Sequence, residues 1–236
     1  MTDLPEHGSP KAARILTAAG ELLRGRGSRG VTIAEVAKKA HVGKGTVYLY
    51  WKTKEDLLLG LVSRDFITLS EDITAAVTAD PDLARPSRLC PDMLRTAAER
   101  PFVEALRNGD DELLGVLTGD PRATELLDAL GPDAMMYRVL PIWRRHGLAT
   151  TEWPLDEQAL AMHALTTGFT AKRTRAVSAA AGTDPERVLA AAVTALLGPE
   201  RGGPEEVRAA AAEGLQQLAE GREIALKFIR SQTPAR

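Results

Sequence analysis

The sequence predicts an all-α protein in which a small, basic three-helix unit precedes a longer helical bundle. Three observations carry this. Across the 236 residues aromatics make up only 4%, and Ala, Leu, Arg and Glu dominate, a composition that favours helices wherever a pattern exists. Apolar residues recur at three- and four-residue spacings from Lys11 onward, and Gly, Pro and Asp clusters cut the pattern into segments of helical length. The charge is uneven: the net value is -2, yet Met1 to Arg64 holds 11 Lys and Arg against 6 Asp and Glu, leaving 19 against 26 for the remainder.

Each helix has its own signals. Met1 to Pro10 is rich in polar and turn-forming residues and predicts a flexible arm. From Lys11 to Arg24, Ile15, Leu16, Ala19, Leu22 and Leu23 share one helical face, and Gly25, Gly27 and Gly30 stop the run. Thr32 followed by Glu35 is the capping-box spacing, in which each residue satisfies an amide of the other at a helix start, and Ile33, Val36, Ala37 and Ala40 follow as an apolar face. His41, Val42 and Gly43 break this second helix, and Lys44 to Trp51 permits a short third one. Thr53 and Asp56 then cap a long helix bearing Leu57, Leu58, Leu61, Phe66, Leu69, Ile73 and Val77, ended by Asp80 and Pro81. Beyond Pro86, breaks at Arg100, Asn108, Thr118 and Leu130 predict short bundled helices. Asp133 to His146 closes in "RRHG", basic residues and then glycine, which suits a helix C-terminus. Two longer patterns, Asp156 to Ala181 and Asp184 to Leu197, are joined by a "GTDP" turn, and Pro204 to Arg230 forms a last amphipathic helix.

The stretch "HVGKGTVYLYWKTKEDLL", His41 to Leu58, gathers small, basic and aromatic residues between helices. Two short helices joined by a tight turn after a first helix are the signature of a helix-turn-helix unit, whose second helix enters the major groove of DNA. Gly43 and Gly45 allow close approach, Lys44 projects from the same end, and Thr46 offers a methyl or a hydroxyl to a base edge. The phenols of Tyr48 and Tyr50 reach toward backbone phosphates, a lysine at the start of the long helix holds the next one, and Trp51 faces inward.

Thr32 to Leu58, "TIAEVAKKAHVGKGTVYLYWKTKEDLL", resembles the DNA-binding region of the TetR family of bacterial transcriptional regulators, and the match covers most of Lys11 to Leu61. The resemblance implies phosphate contacts from Thr32, Tyr48, Tyr50 and Lys54, base reading around Gly43, Lys44, Gly45 and Thr46, and a hydrophobic aromatic at Trp51. Two positions depart from the family pattern: His41 stands where Gly is usual, and Gly43 where a small polar residue is usual. The resemblance further implies a helical ligand-binding and dimerisation domain, a homodimer built on a four-helix bundle from the last two main helices, and release from double-stranded operator DNA by a small-molecule effector.

The expected organisation is therefore a flexible arm (1–10), a helix-turn-helix domain (11–56), a helical ligand-binding and dimerisation domain (57–200), and an extra C-terminal helix and tail (201–236). Candidate ligand residues, chosen as large or polarisable groups, are Phe66, Phe102, Met136, Trp143, Met162 and His163, the last an imidazole between Met162 and Ala164. Candidate dimer residues are Leu165, Phe169, Leu189, Val193 and Leu196. An enzyme is not expected, because the chain has no Gly-rich phosphate loop or nucleophile elbow and its four histidines are dispersed. No cofactor or metal is expected either. A purely architectural DNA binder is the alternative, and it has no need of an acidic portion nearly three times as long as the basic one. The single Cys90 excludes an intramolecular disulfide, no signal-peptide pattern precedes the first basic residues, and no apolar run suits a bilayer, so the expected location is cytoplasmic with no membrane partner.

Overall fold

The computed structural model describes residues 4, 6, 9–117, 119–130, 132–170 and 182–232. Among them all regular structure is helical: α1 Pro10–Arg26, α2 Ile33–Lys39, α3 Lys44–Tyr48, α4 Lys54–Ala79, a 3-10 turn Pro81–Ala84, α5 Pro86–Ala98, α6 Pro101–Asn108, α7 Asp111–Leu114, α8 Pro121–Leu130, α9 Pro132–Arg145, α10 Leu155–Thr170, α11 Pro185–Leu197 and α12 Pro204–Gln232. No helix among the described residues is long and apolar enough to cross a membrane.

The chain divides into two compact units. The first draws on Met1–Ile67, Pro101–Leu127 and Glu223–Arg236, the second on Thr68–Arg100 and Asp128–Arg222. The boundary expected after residue 56 thus falls inside the first unit, which also takes in α6, α7 and most of α8.

In the first unit, α1 starts under the Ser9 side chain, which accepts from the Ala12 amide, and ends at Gly27, whose φ of 66° only glycine adopts without strain. Its buried stripe is Ala12, Ile15, Leu16, Ala19 and Leu23. Part of the expected loose arm is anchored: Leu4 is buried, and the Glu6 carboxylate takes the Arg64 guanidinium, with Nη2 at 2.7 Å. The other residues before Ser9 lie outside the described residues. Glycine at 27 has a second cause, since a Cβ there would sit 2.3 Å from the Glu112 carbonyl oxygen; the adjacent Ser28 amide donates to that oxygen at 2.7 Å.

Helix α4 opens with a reciprocal cap, the Thr53 amide donating to Asp56 Oδ2 at 3.2 Å and the Asp56 amide to Thr53 Oγ1 at 3.0 Å. Arg122 reaches across to this cap, donating to Asp56 Oδ1 at 2.6 Å and to Asp120 Oδ2 at 2.8 Å. Asp120 is itself the cap of α8, accepting from the Arg122 amide at 2.9 Å. One guanidinium therefore ties the first turns of α4 and α8 together. Farther along α4, Asp65 accepts from the Phe102 amide at 2.9 Å and holds the start of α6.

The second unit is built around α11, which packs on α5 and α10, while α9 packs on α10. Leu140, Trp143, Met162, Leu189, Val193 and Leu197 lie at its buried centre, with Val207 and Ala210 of α12 beside them. The indole of Trp143 donates to the Ala84 carbonyl at 3.0 Å, so its one polar atom is satisfied inside. After α9 the chain turns at Gly147, φ 67°, and Thr150 donates to the Leu197 carbonyl at 2.7 Å, fastening the end of α11. Helix α12 is fastened by Glu213, which takes His146 Nε2 at 2.7 Å and the Arg145 guanidinium. Cys90 is buried there, and burial, with the Glu200 charge, pushes its thiol up to about 12, leaving it inert as a nucleophile at neutral pH.

The hydrogen bonds and charge of Arg122 hold the Asp120 carboxyl below its ordinary value of 3.8. A carboxyl depressed on folding adds stability that is complete above the unfolded value and is lost as pH falls through the folded one. Asp120→Asn keeps a capping side chain and removes the charge. It should lower stability by about 1 kcal/mol at neutral pH, since Arg122 is partly exposed, and the difference from wild type should vanish as pH is lowered below 3.8. Thermal unfolding of both proteins across that range measures it.

Candidate nucleic-acid interface

The turn between α2 and α3 sets the aim of the short helix that follows. The Val42 amide donates to the Ala37 carbonyl at 3.0 Å and the His41 amide to the Lys38 carbonyl at 3.2 Å, the paired closure that ends a helix through a left-handed residue. That residue is His41, φ 53°, the sole non-glycine residue at positive φ among those described. From α1, Arg14 Nε donates to the Ala40 carbonyl at 3.2 Å and holds the turn against the first helix.

Beneath α3, Val47 is fully enclosed and Trp51 buried, as the sequence leads one to expect for Trp51; the Tyr50 and Trp51 rings lie 5.6 Å apart. Gly43 caps α3 without a side-chain bond, and its φ of -70° is open to any residue, so glycine is not required there by the backbone. Gly43, Lys44, Gly45 and Tyr48 are exposed and Thr46 is half-buried. The Lys44 ammonium stands 5.9 Å from the Tyr48 ring centroid, so the cation and the phenol are presented together. Nothing lies within 4 Å of where a Gly45 side chain would begin.

The other three expected contact residues are engaged internally. Thr32 forms the predicted capping box, donating its amide and its hydroxyl to Glu35 Oε2, each at 2.9 Å, while accepting from the Glu35 amide. These bonds from Thr32, with Arg26, hold the Glu35 carboxyl below its usual range. The Tyr50 hydroxyl shares a 2.6 Å hydrogen bond with Ser9 Oγ at the cap of α1. Lys54 donates its ammonium to the Ser28 carbonyl, and partial burial lowers its pKa. These two side chains brace the unit in the unbound protein. Sequence reasoning passed over both partners, and it passed over Leu49, which caps the C-terminus of α3 and is 69% exposed. The missing signal for Leu49 was in the spacing, four residues after Gly45.

The candidate ligand residues are separated: Phe66 and Phe102 are buried in the first unit, whereas Met136, Trp143, Met162 and His163 belong to the second. Met162 and Trp143 are buried at the centre of that second unit, with Met136 packed against them and His163 half-buried on α10. Of the candidate dimer residues, Leu189 and Val193 are fully enclosed within the protomer, because their stripe on α11 is already covered, and Leu165, Phe169 and Leu196 pack against the same core. The part of the expected helix Asp156 to Ala181 beyond residue 170 lies outside the described residues.

A turn closed through a left-handed residue, leading into a short helix seated on an apolar pair and presenting cationic, small and phenolic residues, defines a helix-turn-helix protein. Residues 15–61 match the model of the bacterial regulatory proteins of the tetR family. Over 79 residues the chain is 39% identical to the fatty acid metabolism regulator protein of Bacillus subtilis (strain 168); the match takes in 32% of this chain and spans only 41% of that relative. The likeness to the tetR family therefore lies in this head, residues 15–61. The fold of the chain extends the likeness. The fatty acid degradation regulator FadR of Bacillus halodurans superposes with a TM-score of 0.58 at 20% identity, covering 83% of this chain and 98% of that one. FadR of Bacillus subtilis in complex with stearoyl-CoA superposes with a TM-score of 0.52 at 18% identity, covering 79% and 97%.

Glycine is the residue that best tolerates the left-handed position of His41. His41→Gly should raise the thermal midpoint modestly, because relief of a left-handed cost of about 1 to 2 kcal/mol exceeds what glycine's extra unfolded-state freedom takes back, whereas the β-branched His41→Val should lower it. Equal midpoints for the two variants would show that the turn carries no strain.

Proposed function

We propose that the protein is a DNA-binding transcriptional regulator, a repressor that holds a near-palindromic operator as a homodimer and is released by a small-molecule effector. The exposed outer side of α3, seated on Val47 and Trp51, is the observation that carries the reading. The basic balance of Met1 to Arg64 supports it, since phosphate attraction steers such a unit to a duplex. Two-fold symmetry sets half-sites about one helical turn apart, roughly 34 to 36 Å.

For the homodimer, the surface left open on α10 and α11 supports a shared bundle. Leu160 is 66% exposed and Val188 41% exposed, and toward the C-terminal side of each the exposed positions include the small residues Ala164, Thr167, Gly168, Ala191 and Ala195, with Glu157 and Arg187 exposed at the other side. Leu160, Val188 and these small residues replace Leu189 and Val193 as the contact residues. For the effector, the second-unit candidates Met136, Met162 and His163 are the first residues to vary. Stearoyl-CoA is the first compound to try, given the ligand in the Bacillus subtilis FadR structure. A tenfold loss of operator affinity requires about 1.4 kcal/mol of differential binding, and operator must weaken the effector by the same factor. Titration of stearoyl-CoA with and without operator tests this, and equal affinities would remove release by that compound.

Tyr48→Phe and Lys54→Ala should weaken binding to every duplex, and Lys54→Ala should lower the salt slope by about 0.9. An unchanged slope would confine Lys54 to its Ser28 tether. For Lys44→Ala and Thr46→Ala the expected change is in preference at particular base pairs, worth roughly 1 to 3 kcal/mol for each good contact.

Leu160→Glu should convert the dimer to a monomer in sedimentation while helicity is kept, with operator affinity falling in step. Val193→Glu should instead destabilise the protomer, being fully enclosed. A Leu160→Glu protein that stays dimeric would place the interface elsewhere.

A further inference from the structure

Side chains on a helix are set about 100° apart, and on α3 the inward direction is marked by Val47, which is fully enclosed. Two residues to either side of it, Gly45 and Leu49 straddle the opposite edge, the part of the helix farthest from the protein. Gly45 contributes no side chain, and the space where one would begin is open. Leu49, one turn on, joined to it by a 3.2 Å bond from its amide to the Gly45 carbonyl, is 69% exposed, more than any other large hydrophobic residue among those described. Lys44 and Tyr48 stand exposed around this edge. The side chain aimed outermost from the candidate reading helix is thus a leucine, with no donor and no acceptor.

We propose that Leu49 is a specificity-determining residue that packs on the 5-methyl group of a thymine, so that each half-site of the operator requires a T·A pair at one position. The inference rests on the reading of α3 as the helix that enters the major groove. On that edge of the base pairs the thymine methyl is the one apolar group, while the other bases present donors and acceptors that a leucine would bury unpaired. Gly45 serves the same contact by thinning the helix where it meets the groove, letting a side chain of leucine's length reach the floor. A protein occupant fits the edge less well, because Lys44 borders it and Met1 to Arg64 carries 11 cationic against 6 acidic residues, suited to a groove walled by phosphates.

The test uses the full-length protein. An operator is selected from random-sequence duplexes, each of its thymines is replaced in turn by deoxyuridine, symmetrically in both half-sites, and wild type is compared with Leu49→Ala. Removing the methyl at one symmetric pair of positions should weaken wild type about fourfold per half-site, the worth of one buried methylene. Leu49→Ala should bind the thymine operator more weakly, should be indifferent to that replacement, and should keep the salt slope of wild type. Leu49 is exposed, so truncation leaves no cavity, and circular dichroism should be unchanged. A Leu49→Ala protein that equals wild type on the thymine operator, or that still loses affinity on methyl removal at the same position, overturns the proposal. If wild type selects no operator from the pool, the regulator reading fails first and this inference with it.

Discussion

A helix of five residues closes too few internal hydrogen bonds to stand alone in water. Helix α3 exists because its surroundings hold it, and everything offered to a partner on its outer side depends on that. Val47 and Trp51 supply the apolar seat, and the left-handed turn at His41, tied to α1 through Arg14, supplies the angle. The same burial that stabilises the helix fixes its rotation, since only one edge can face inward. Which residues are presented outward is then a geometric consequence of where Val47 falls in the sequence.

The engaged side chains around this helix give the unit a second role for its polar groups. Tyr50 and Lys54 have the chemistry of phosphate contacts, yet in the unbound protein they bond to Ser9 and Ser28, two serines that flank α1. Contact with a duplex would exchange one set of partners for another, so the net gain from each residue is smaller than that of an unoccupied cation or phenol. Lys44 and Tyr48, exposed and set beside each other, have less to give up.

Much of this architecture was legible in the sequence because its signals are local. The capping pairs at Thr32 and Thr53, the breaks at Pro81, Pro86 and Pro101 and the inward Trp51 are each decided within four residues of chain. What was not legible depends on distant partners. Periodicity marks Leu189 and Val193 as an apolar stripe, but it cannot say whether α5 and α10 of the same protomer or a second copy covers them. Nor does it reveal that Pro101–Leu127 joins the N-terminal unit, because the bonds that do so run from Arg122 back to Asp56 and from Glu112 to Ser28. Leu49 was passed over for another reason, since exposed leucines are common and attention goes to groups that hydrogen-bond.

The joint between the reading head and Pro101–Leu127 constrains how such chains recombine. A crossover between related genes placed anywhere from residue 57 to residue 100 would bring an incoming head without the arginine its Asp56 cap was matched to. It would also set a foreign residue 27 against the Glu112 carbonyl, where only glycine fits. Heads would therefore exchange cleanly only between chains that share Gly27, an acid at 56 and a cation at 122.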